Sequence, residues 1–244
     1  GELWGVLAWA SGLVACTSRG TGGVVVAWGT QVMLGERPSD MGGTMGLGQP
    51  RDLVAVKAPV FSMNKLPAVD SYLGPEMKST GEAIGIGRTL SEALRKAFAA
   101  SGVHVKRGGA VLLTIADVDK PEIFPIVSRL VEMGCRLVAT EGTAKALQQA
   151  GFSPQVVAKI GGAGPTVLDV ITNSEVDLVI NTMSNIYTDS AEAGGPVFTD
   201  GFEIRRAAVE RRIPCLPSLG TAVARVESED AAPHGGEDGG TATV

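Results

Sequence analysis

Between residues 108 and 226, short apolar runs alternate with helical patterns, and this alternation restricts the fold more than any other feature of the sequence. Each apolar run is four to six residues long, which is the length of a buried strand rather than of a helix. The predicted strands are Ala110–Ile115, Arg136–Ala139, Gln155–Ile160, Val176–Asn181 and Ile213–Leu216. The predicted helices cover 122–133, 143–150, 166–172, 200–211 and 220–226. We therefore predict an α/β fold with a doubly wound, five-stranded parallel sheet.

The chain before residue 108 has weaker patterns. Leu53–Ala58 is typical of a strand that Pro59 ends or bends. Residues 61–87 are punctuated by glycine and proline and are expected to be irregular. Either Thr89 or Ser91 is a candidate cap for a helix that Gly102 ends.

The two ends of the chain have little periodicity. Residues 1–31 are rich in glycine, alanine, valine and tryptophan, and only Val24–Val26 is compatible with a strand. Residues 32–52 are glycine-rich and are expected to form a loop. Residues 227–244 contain five acidic residues, no Lys or Arg and no apolar period, so we expect a disordered acidic tail.

Polar side chains follow the predicted strands. Lys120 comes after the first strand, Thr140 and Thr143 after the second and Lys159 after the third, while Asn181 ends the fourth. The carboxyl ends of parallel strands meet at one edge of a sheet, where ligands bind. Lysines supply charge for a phosphate, threonines supply directional donors, and an amide both donates and accepts. Their convergence favours a phosphate-bearing ligand over a set of solvated lysines.

The run Thr140-Glu141-Gly142-Thr143 lies at the turn from the second strand into its helix. Backbone N–H groups at such a turn face outward at the positive end of the helix dipole and hold anions. Gly142 lets the backbone approach a ligand closely. The alternative interpretation is an ordinary capped turn.

Other chemistry is poorly supported. His104 falls before the first strand, and Cys135 begins the second strand, away from the predicted ligand edge. The three cysteines are far apart and form neither a metal pattern nor a disulfide framework. Gly85-Ile86-Gly87 is a weak dinucleotide-binding pattern, because no third glycine follows at the required spacing. We therefore predict no catalytic set and no metal site.

The net charge of −5 is placed entirely in the acidic tail, because the remaining residues carry no net charge. No basic face for nucleic acid is expected. The apolar run Leu3–Val14 is too short to span a membrane and has no basic residues before it. We expect no nucleic-acid or membrane partner, and cysteine usage fits a reducing, cytoplasmic compartment.

Two runs carry a resemblance to a known family. They are Val54-Ala55-Val56-Lys57 and Gly74-Pro75-Glu76-Met77-Lys78-Ser79-Thr80-Gly81-Glu82. The second run is very specific. With them, the chain resembles the C-terminal part of the carbamoyl-phosphate synthase large subunit. The resemblance implies an ATP-grasp remnant over 1–88 (degenerate over 1–31), a connecting helix and linker over 89–107, and a methylglyoxal-synthase-like domain over 108–226.

This resemblance implies an allosteric domain that binds nucleotide effectors, namely UMP, IMP or phosphoribosyl pyrophosphate. The positions that match the effector site, including the glycine of its turn, are Lys120, Thr140, Gly142, Thr143, Lys159 and Asn181. It also implies that the full enzyme, a glutamine-hydrolysing ligase of arginine and pyrimidine biosynthesis, uses ATP with Mg or Mn. The implied protein partners are the rest of the large subunit and the glutaminase small subunit.

The chain departs from the family in three places. Met183 stands where Thr is frequent, and Ile186-Tyr187 where an arginine pair is frequent. Near the N-terminus, Gly5 and Leu7 replace the Glu and Asn of the metal-binding strand, which leaves no carboxylate for a hard cation. We expect no cofactor in this chain and no synthesis of carbamoyl phosphate by it alone.

Two alternatives remain open. One is a free-standing lyase like methylglyoxal synthase, although Gly161-Gly162-Ala163-Gly164-Pro165 lacks the acid that such an enzyme needs in this loop. The other is a module that docks on a synthetase body through residues 53–87, since irregular segments of this kind need a partner surface.

Overall fold

The computed structural model describes residues 18, 23, 25–41, 52–60, 81–182 and 200–230. They belong to two compact units, and the boundary between the units falls between Ser101 and Gly102. The predictions for residues 1–17, 42–51, 61–80, 183–199 and 231–244 lie outside the described residues. Among the described residues, no helix combines the length and the apolar character needed to cross a membrane.

Within its described residues, the first unit has two helices and a two-stranded antiparallel sheet. Its elements are α1 (Val25–Met33), β1 (Val54–Val60), β2 (Gly81–Gly87) and α2 (Leu90–Ala100). Of the two cap candidates, Thr89 is the N-cap, because its side chain accepts a hydrogen bond from the backbone N–H of Glu92. Helix α2 packs against both strands instead of serving only as a connector.

The structure of the first unit differs from the sequence analysis at three places. The run at Val25 and Val26 begins a helix, not a strand. Pro59 lies inside β1, opposite Glu82, and does not end the strand. Residues 81–87 form β2 instead of an irregular segment. A two-stranded sheet tolerates a proline because each strand has one free edge.

Two glycines of β2 bring the strand close to α2. A Cβ atom on Gly85 would lie 1.9 Å from the carbonyl oxygen of Ala93 and 2.5 Å from the amide nitrogen of Ala97. A Cβ atom on Gly87 would lie 2.8 Å from the Cβ of Glu92. The Gly85-Ile86-Gly87 pattern is therefore explained by helix packing, because glycine permits this close approach of two backbones.

The second unit is built on a five-stranded parallel sheet. Its strands are β3 (Ala110–Thr114), β4 (Arg136–Thr140), β5 (Gln155–Val157), β6 (Leu178–Asn181) and β7 (Cys215–Leu216). The order across the sheet is β5-β4-β3-β6-β7, and every neighbouring pair is parallel. The predicted α/β fold is confirmed, with the first strand of the series at the centre of the sheet.

In the described part of the second unit, five α-helices follow the strands of this sheet. They are α3 (Lys120–Glu132), α4 (Glu141–Gln149), α5 (Val167–Thr172), α6 (Asp200–Glu210) and α7 (Leu219–Asp230), with a 3₁₀ turn over Asp117–Asp119 before α3. Alternate residues of β3 point to opposite faces. Val111 and Leu113 join the core with α3, α4 and α7, whereas Ala110 and Leu112 join the core with α5 and α6. Helices on both faces make the sheet doubly wound.

Three details of the second unit differ from the prediction. Strand β5 ends at Val157 instead of Ile160, and Ala158 makes only an isolated bridge to Thr166. The spacing of apolar residues in α3 predicts a buried stripe that includes Val131 and not Ile123, whereas Ile123 is buried and Val131 is 46% exposed. Helix α7 continues through residues 227–230, which we expected in the disordered tail.

The extension of α7 has a structural cause. Arg225 is 2% exposed and pairs with Glu229, and its Nη1 donates to the buried Ser228 hydroxyl over 3.2 Å. Its Nε donates to the carbonyl oxygen of Val103 over 3.1 Å. An arginine this deeply buried needs its polar partners inside the fold, so the helix must extend far enough to supply them.

Candidate functional site

The carboxyl ends of the three central strands lie side by side. Thr114 ends β3 and pairs in register with Asn181, which ends β6. Thr140 ends β4 on the other side of β3. All three side chains are buried, with 8% or less of each residue exposed. Thr140 and Asn181, which the sequence argument selected, therefore lie at one edge of the sheet, but the fold buries both of them together with Thr114.

The hydroxyl of Thr143 is used within the fold. It accepts a hydrogen bond from the Ile115 N–H over 3.1 Å, and the Thr140 hydroxyl lies 3.4 Å from it. Thr143 is 2% exposed. This contact ties the first turn of α4 to the residue after β3, so a ligand would meet the backbone of this turn rather than the Thr143 hydroxyl.

The side chain of Asn181 is similarly engaged. Its Nδ2 donates to the Thr114 hydroxyl over 2.7 Å, and its Oδ1 accepts from Nη1 of Arg205 over 2.9 Å. Asn181 is 3% exposed and Arg205 is 1% exposed. The sequence argument missed Arg205, although Gly201 and Ala208 share its helix face at spacings of four and three. An arginine on such a small-residue face is a signal of a buried charge.

Lys120 lies over the first turn of α4. A Cβ atom on Gly142 would lie 3.6 Å from the Lys120 ammonium nitrogen. The ammonium also forms an ion pair with Oδ1 of Asp117 over 2.5 Å. The Lys120 side chain is 20% exposed and that of Asp117 is 92% exposed, so the pair sits at the surface.

Both lysines of the candidate site lower the pKa of the Asp117 carboxyl. Its pKa is lowered, first by the hydrogen bond from Lys120, then by the charge of Lys120, and to a smaller extent by the charge of Lys159. Lys159 is itself exposed. Lys120 follows β3 and Lys159 follows β5, so both lysines come after carboxyl ends of strands of this sheet, and both lower the pKa of the same carboxylate.

Lys159 begins the glycine-rich loop that follows β5. The ends of this loop are joined because the Ala158 N–H donates to the Pro165 carbonyl and the Val167 N–H donates to the Ala158 carbonyl, each over 2.9 Å. Gly161 and Gly164 adopt positive φ values of 77° and 97°. The loop is thus a closed turn that needs glycine at these two positions.

The N-terminus of α4 has no side-chain cap. Thr140 occupies the cap position in extended geometry, but its hydroxyl makes no capping hydrogen bond. The first-turn N–H groups of a helix have no partner within the helix and carry partial positive charge. In contrast, α5 has a complete capping box, in which Thr166 and Asp169 satisfy each other's backbone N–H groups. The arrangement of α4 and Lys120 is suited to an anion.

Catalytic and metal chemistry find little support in the part of the chain that the structure describes. No group of three His, Cys, Asp or Glu residues there is placed to hold a metal ion. Burial raises the pKa of the Cys135 thiol, which makes it a weak nucleophile at neutral pH. The Ser218 hydroxyl lies 3.0 Å from the Thr221 hydroxyl and accepts from the Thr221 N–H, as a helix cap does.

Comparison with known proteins finds a family model that matches part of the chain and several similar proteins. Residues 122–217 match the family model described as the MGS-like domain. The carbamoyl phosphate synthase large chain of Thermomicrobium roseum is 50% identical over 220 residues, which cover 90% of this chain and 20% of the relative. The large chain of Clostridium botulinum (strain Langeland) is 44% identical over 204 residues, which cover 83% of this chain and 18% of the relative. The chain is homologous to part of the carbamoyl phosphate synthase large chain.

The chain spans about a fifth of the length of these large chains. The large chain of Clostridium perfringens is 42% identical over 229 residues, which cover 93% of this chain and 21% of the relative. The sequence resemblance is therefore confirmed. A crystal structure of methylglyoxal synthase from Elizabethkingia anophelis NUHP1 has a TM-score of 0.38 and 17% identity, covering 51% of this chain and 78% of that chain. A TM-score this low supports no conclusion about the fold.

Proposed function

We propose that residues 102–230 bind a phosphate-bearing nucleotide as the effector domain of a carbamoyl phosphate synthase large chain. The observation that carries this proposal is the ammonium of Lys120 beside Gly142, at the uncapped N-terminus of α4. A cation and a helix N-terminus that converge on one point stabilise a phosphate.

The neighbouring groups support an anionic ligand. Lys159 adds a second exposed cation on the same edge of the sheet, and it acts on the same Asp117 carboxylate as Lys120. Asp117 is 92% exposed and is held by a surface ion pair, which an incoming phosphate can replace at little cost. A ligand would thus take the place of Asp117 on Lys120.

The effector candidates are UMP, IMP and phosphoribosyl pyrophosphate, as the sequence resemblance implies. In the same proposal, the chain works together with the rest of the large subunit and with the glutaminase small subunit. ATP and its metal ion bind elsewhere in that assembly. The domain then regulates the synthetase only if the ligand binds two states of the whole enzyme with different affinities.

The first test is a binding measurement on the purified chain. Isothermal titration calorimetry and thermal unfolding are run with inorganic phosphate, UMP, IMP and phosphoribosyl pyrophosphate. A ligand at about 100 times its Kd stabilises the folded state by roughly 2.7 kcal/mol. We expect at least one nucleotide or pyrophosphate ligand to stabilise the chain.

Two lysine variants make the test specific. Lys120→Met removes the cation beside Gly142 and should weaken binding by roughly tenfold or more. Lys145→Met removes an exposed lysine from the same helix α4, away from its first turn, and should leave binding unchanged. Equal losses in the two variants would mean that binding is non-specific, and the absence of binding in the wild type would reject the proposal.

A further inference from the structure

A buried chain of hydrogen bonds connects α6 to the end of the central strand. Arg205 donates from Nη1 to Oδ1 of Asn181 over 2.9 Å, and Nδ2 of Asn181 donates to the Thr114 hydroxyl over 2.7 Å. A guanidinium group can only donate, so it must face the amide oxygen. Arg205 thereby fixes the orientation of the Asn181 amide and directs its N–H group toward Thr114.

The residues after Thr114 are held on both of their sides. On the β6 side, the Thr182 N–H donates to the Thr114 carbonyl over 3.1 Å, and the Ala116 N–H donates to the Thr182 hydroxyl over 2.9 Å. On the α4 side, the Ile115 N–H donates to the Thr143 hydroxyl over 3.1 Å. All these groups are buried, so water does not replace a lost contact easily.

Ile115 and Ala116, which these hydrogen bonds hold in place, lead directly to Asp117 and Lys120 of the candidate site. Asp117 begins the 3₁₀ turn that follows it, and Lys120 begins α3. The Asp119 N–H donates to the carbonyl oxygen of Ala116 over 3.0 Å, which joins the turn to the braced residues. The place of the Lys120 side chain therefore depends on where β3 ends.

We propose that Arg205 is a positioning residue for the anion site: through Asn181 and Thr114 it fixes the end of β3 and so holds Lys120 beside the first turn of α4. The inference rests on the proposed function, since it explains how the site is kept in place. Arg205 acts through Asn181 and has no contact with the ligand in this scheme.

A second buried arginine provides a matched control. Arg225 is 2% exposed on α7 and donates to Val103 and Ser228, outside the chain of contacts that leads to Thr114. Arg205→Met and Arg225→Met each leave a buried acceptor unpaired, so both should lower the melting temperature. Only Arg205→Met should weaken the binding of inorganic phosphate, by roughly tenfold in Kd. Equal affinities for phosphate in the two variants would overturn the proposal.

A second pair of variants, at Thr114, tests the same path with smaller changes to the core, so the test does not depend on the folding of Arg205→Met. Thr114→Val removes the hydroxyl that accepts from Asn181 and keeps the shape of the side chain. Thr114→Ser keeps the hydroxyl. The Val variant should reproduce the weaker phosphate binding, and the Ser variant should bind as the wild type does. Wild-type affinity in Thr114→Val would mean that the path through Thr114 does not position Lys120.

A measurement without ligand separates this proposal from the proposed function. The titration of Asp117 is followed by nuclear magnetic resonance, because the pKa of its carboxyl is lowered mainly by the hydrogen bond from Lys120, with Lys159 as the other nearby cation. Displacement of Lys120 should return this pKa toward its ordinary value in Arg205→Met and Thr114→Val, and not in Arg225→Met. An unchanged Asp117 titration in Arg205→Met would overturn the positioning role, whether or not the wild type binds phosphate.

Discussion

The ammonium nitrogen of Lys120 lies 3.6 Å from the point where a Cβ atom on Gly142 would stand. The two residues come from helices that begin after neighbouring strands, β3 and β4, so their closeness depends on the parallel sheet. A methyl group at position 142 would make ordinary contact with the ammonium. It would also occupy the space in which we propose that an anion meets the ammonium and the first-turn N–H groups of α4.

Gly142→Ala should therefore separate stability from binding. Gly142 has no positive φ, so alanine fits the backbone and should stabilise the fold by about 0.4–1 kcal/mol. The added methyl group should weaken phosphate binding, which titration calorimetry measures. Gly220→Ala is the matched control, because Gly220 is also the second residue of its helix and its Cβ would meet no atom within 4 Å.

The expected result for Gly220→Ala is a similar gain in stability with unchanged phosphate affinity. If Gly142→Ala also binds phosphate as the wild type does, the ligand does not approach the first turn of α4. The lysines would then act without the helix N-terminus.

Asp117→Asn should strengthen the binding of inorganic phosphate. The pKa of Asp117 is lowered by Lys120, so the carboxylate is charged at neutral pH and competes with an anion for the same ammonium. The pair is lost only as the pH falls through this lowered pKa. Because surface pairs are weak, the gain in affinity should be at most about fivefold.

The control for this variant is Asp119→Asn, two residues along the same turn, which removes the same charge. It should have the smaller effect on the Kd measured by calorimetry. Equal gains in the two variants would point to overall charge, and a loss of affinity in Asp117→Asn would show that Asp117 orients Lys120 for the ligand instead of competing with it.

The sheet and the polar residues at its carboxyl edge were predictable because buried parallel strands are apolar runs with polar residues at their ends. Thr114, Thr140 and Asn181 do meet there. The sequence could not tell which polar groups the fold itself uses. The hydrogen-bond donor to the Thr143 hydroxyl lies 28 residues away in the sequence, and the donor to the side-chain amide oxygen of Asn181 lies 24 residues away. Only the packed structure shows these contacts.

The hairpin of the first unit was missed for a related reason. Glycines at positions 81, 85 and 87 of β2 are typical of turns, so the sequence predicts an irregular segment. In the structure, two of these glycines are required for another reason: Gly85 and Gly87 lie against the backbone and the first turn of α2, where a side chain would not fit. A glycine required by a neighbouring helix has the same sequence signal as a glycine required by a turn.

Asp177 should make the stability of the second unit depend on pH in the acid range. Its pKa is lowered, first by the hydrogen bond from the Ala110 N–H and then by Lys106, whose ammonium lies 3.3 Å away. A group with a lowered folded-state pKa stabilises the fold above its unfolded pKa, and this contribution is lost as the pH falls through the folded value.

Urea unfolding at several pH values measures this contribution. The difference in unfolding midpoint between the wild type and Asp177→Asn should be largest at neutral pH and should shrink between roughly pH 4 and pH 2. The side chain of Asp177 is 36% exposed, so the effect is modest. Glu227→Gln, at an exposed position of α7, is the control and should give a smaller change. A difference that grows on acidification would contradict the sign argued here.

Gly85→Ala should destabilise the first unit. The new Cβ atom would stand 1.9 Å from the Ala93 carbonyl oxygen and 2.5 Å from the Ala97 nitrogen, and both belong to the helix backbone, which cannot move aside like a side chain. Overpacking of this kind costs about 1–3 kcal/mol or more. Hydrogen exchange at the amides of β1 and β2 reports the loss locally, because it measures the opening of these strands.

Gly81→Ala provides the comparison within the same strand. Its Cβ atom would lie 3.9 Å from the Cβ of Val60, an ordinary contact, so alanine there should leave the exchange rates unchanged or slower. Faster exchange confined to Gly85→Ala would tie β2 to the α2 backbone. Similar rates in both variants would mean that the strand and the helix are farther apart in solution, and that these glycines serve a turn after all.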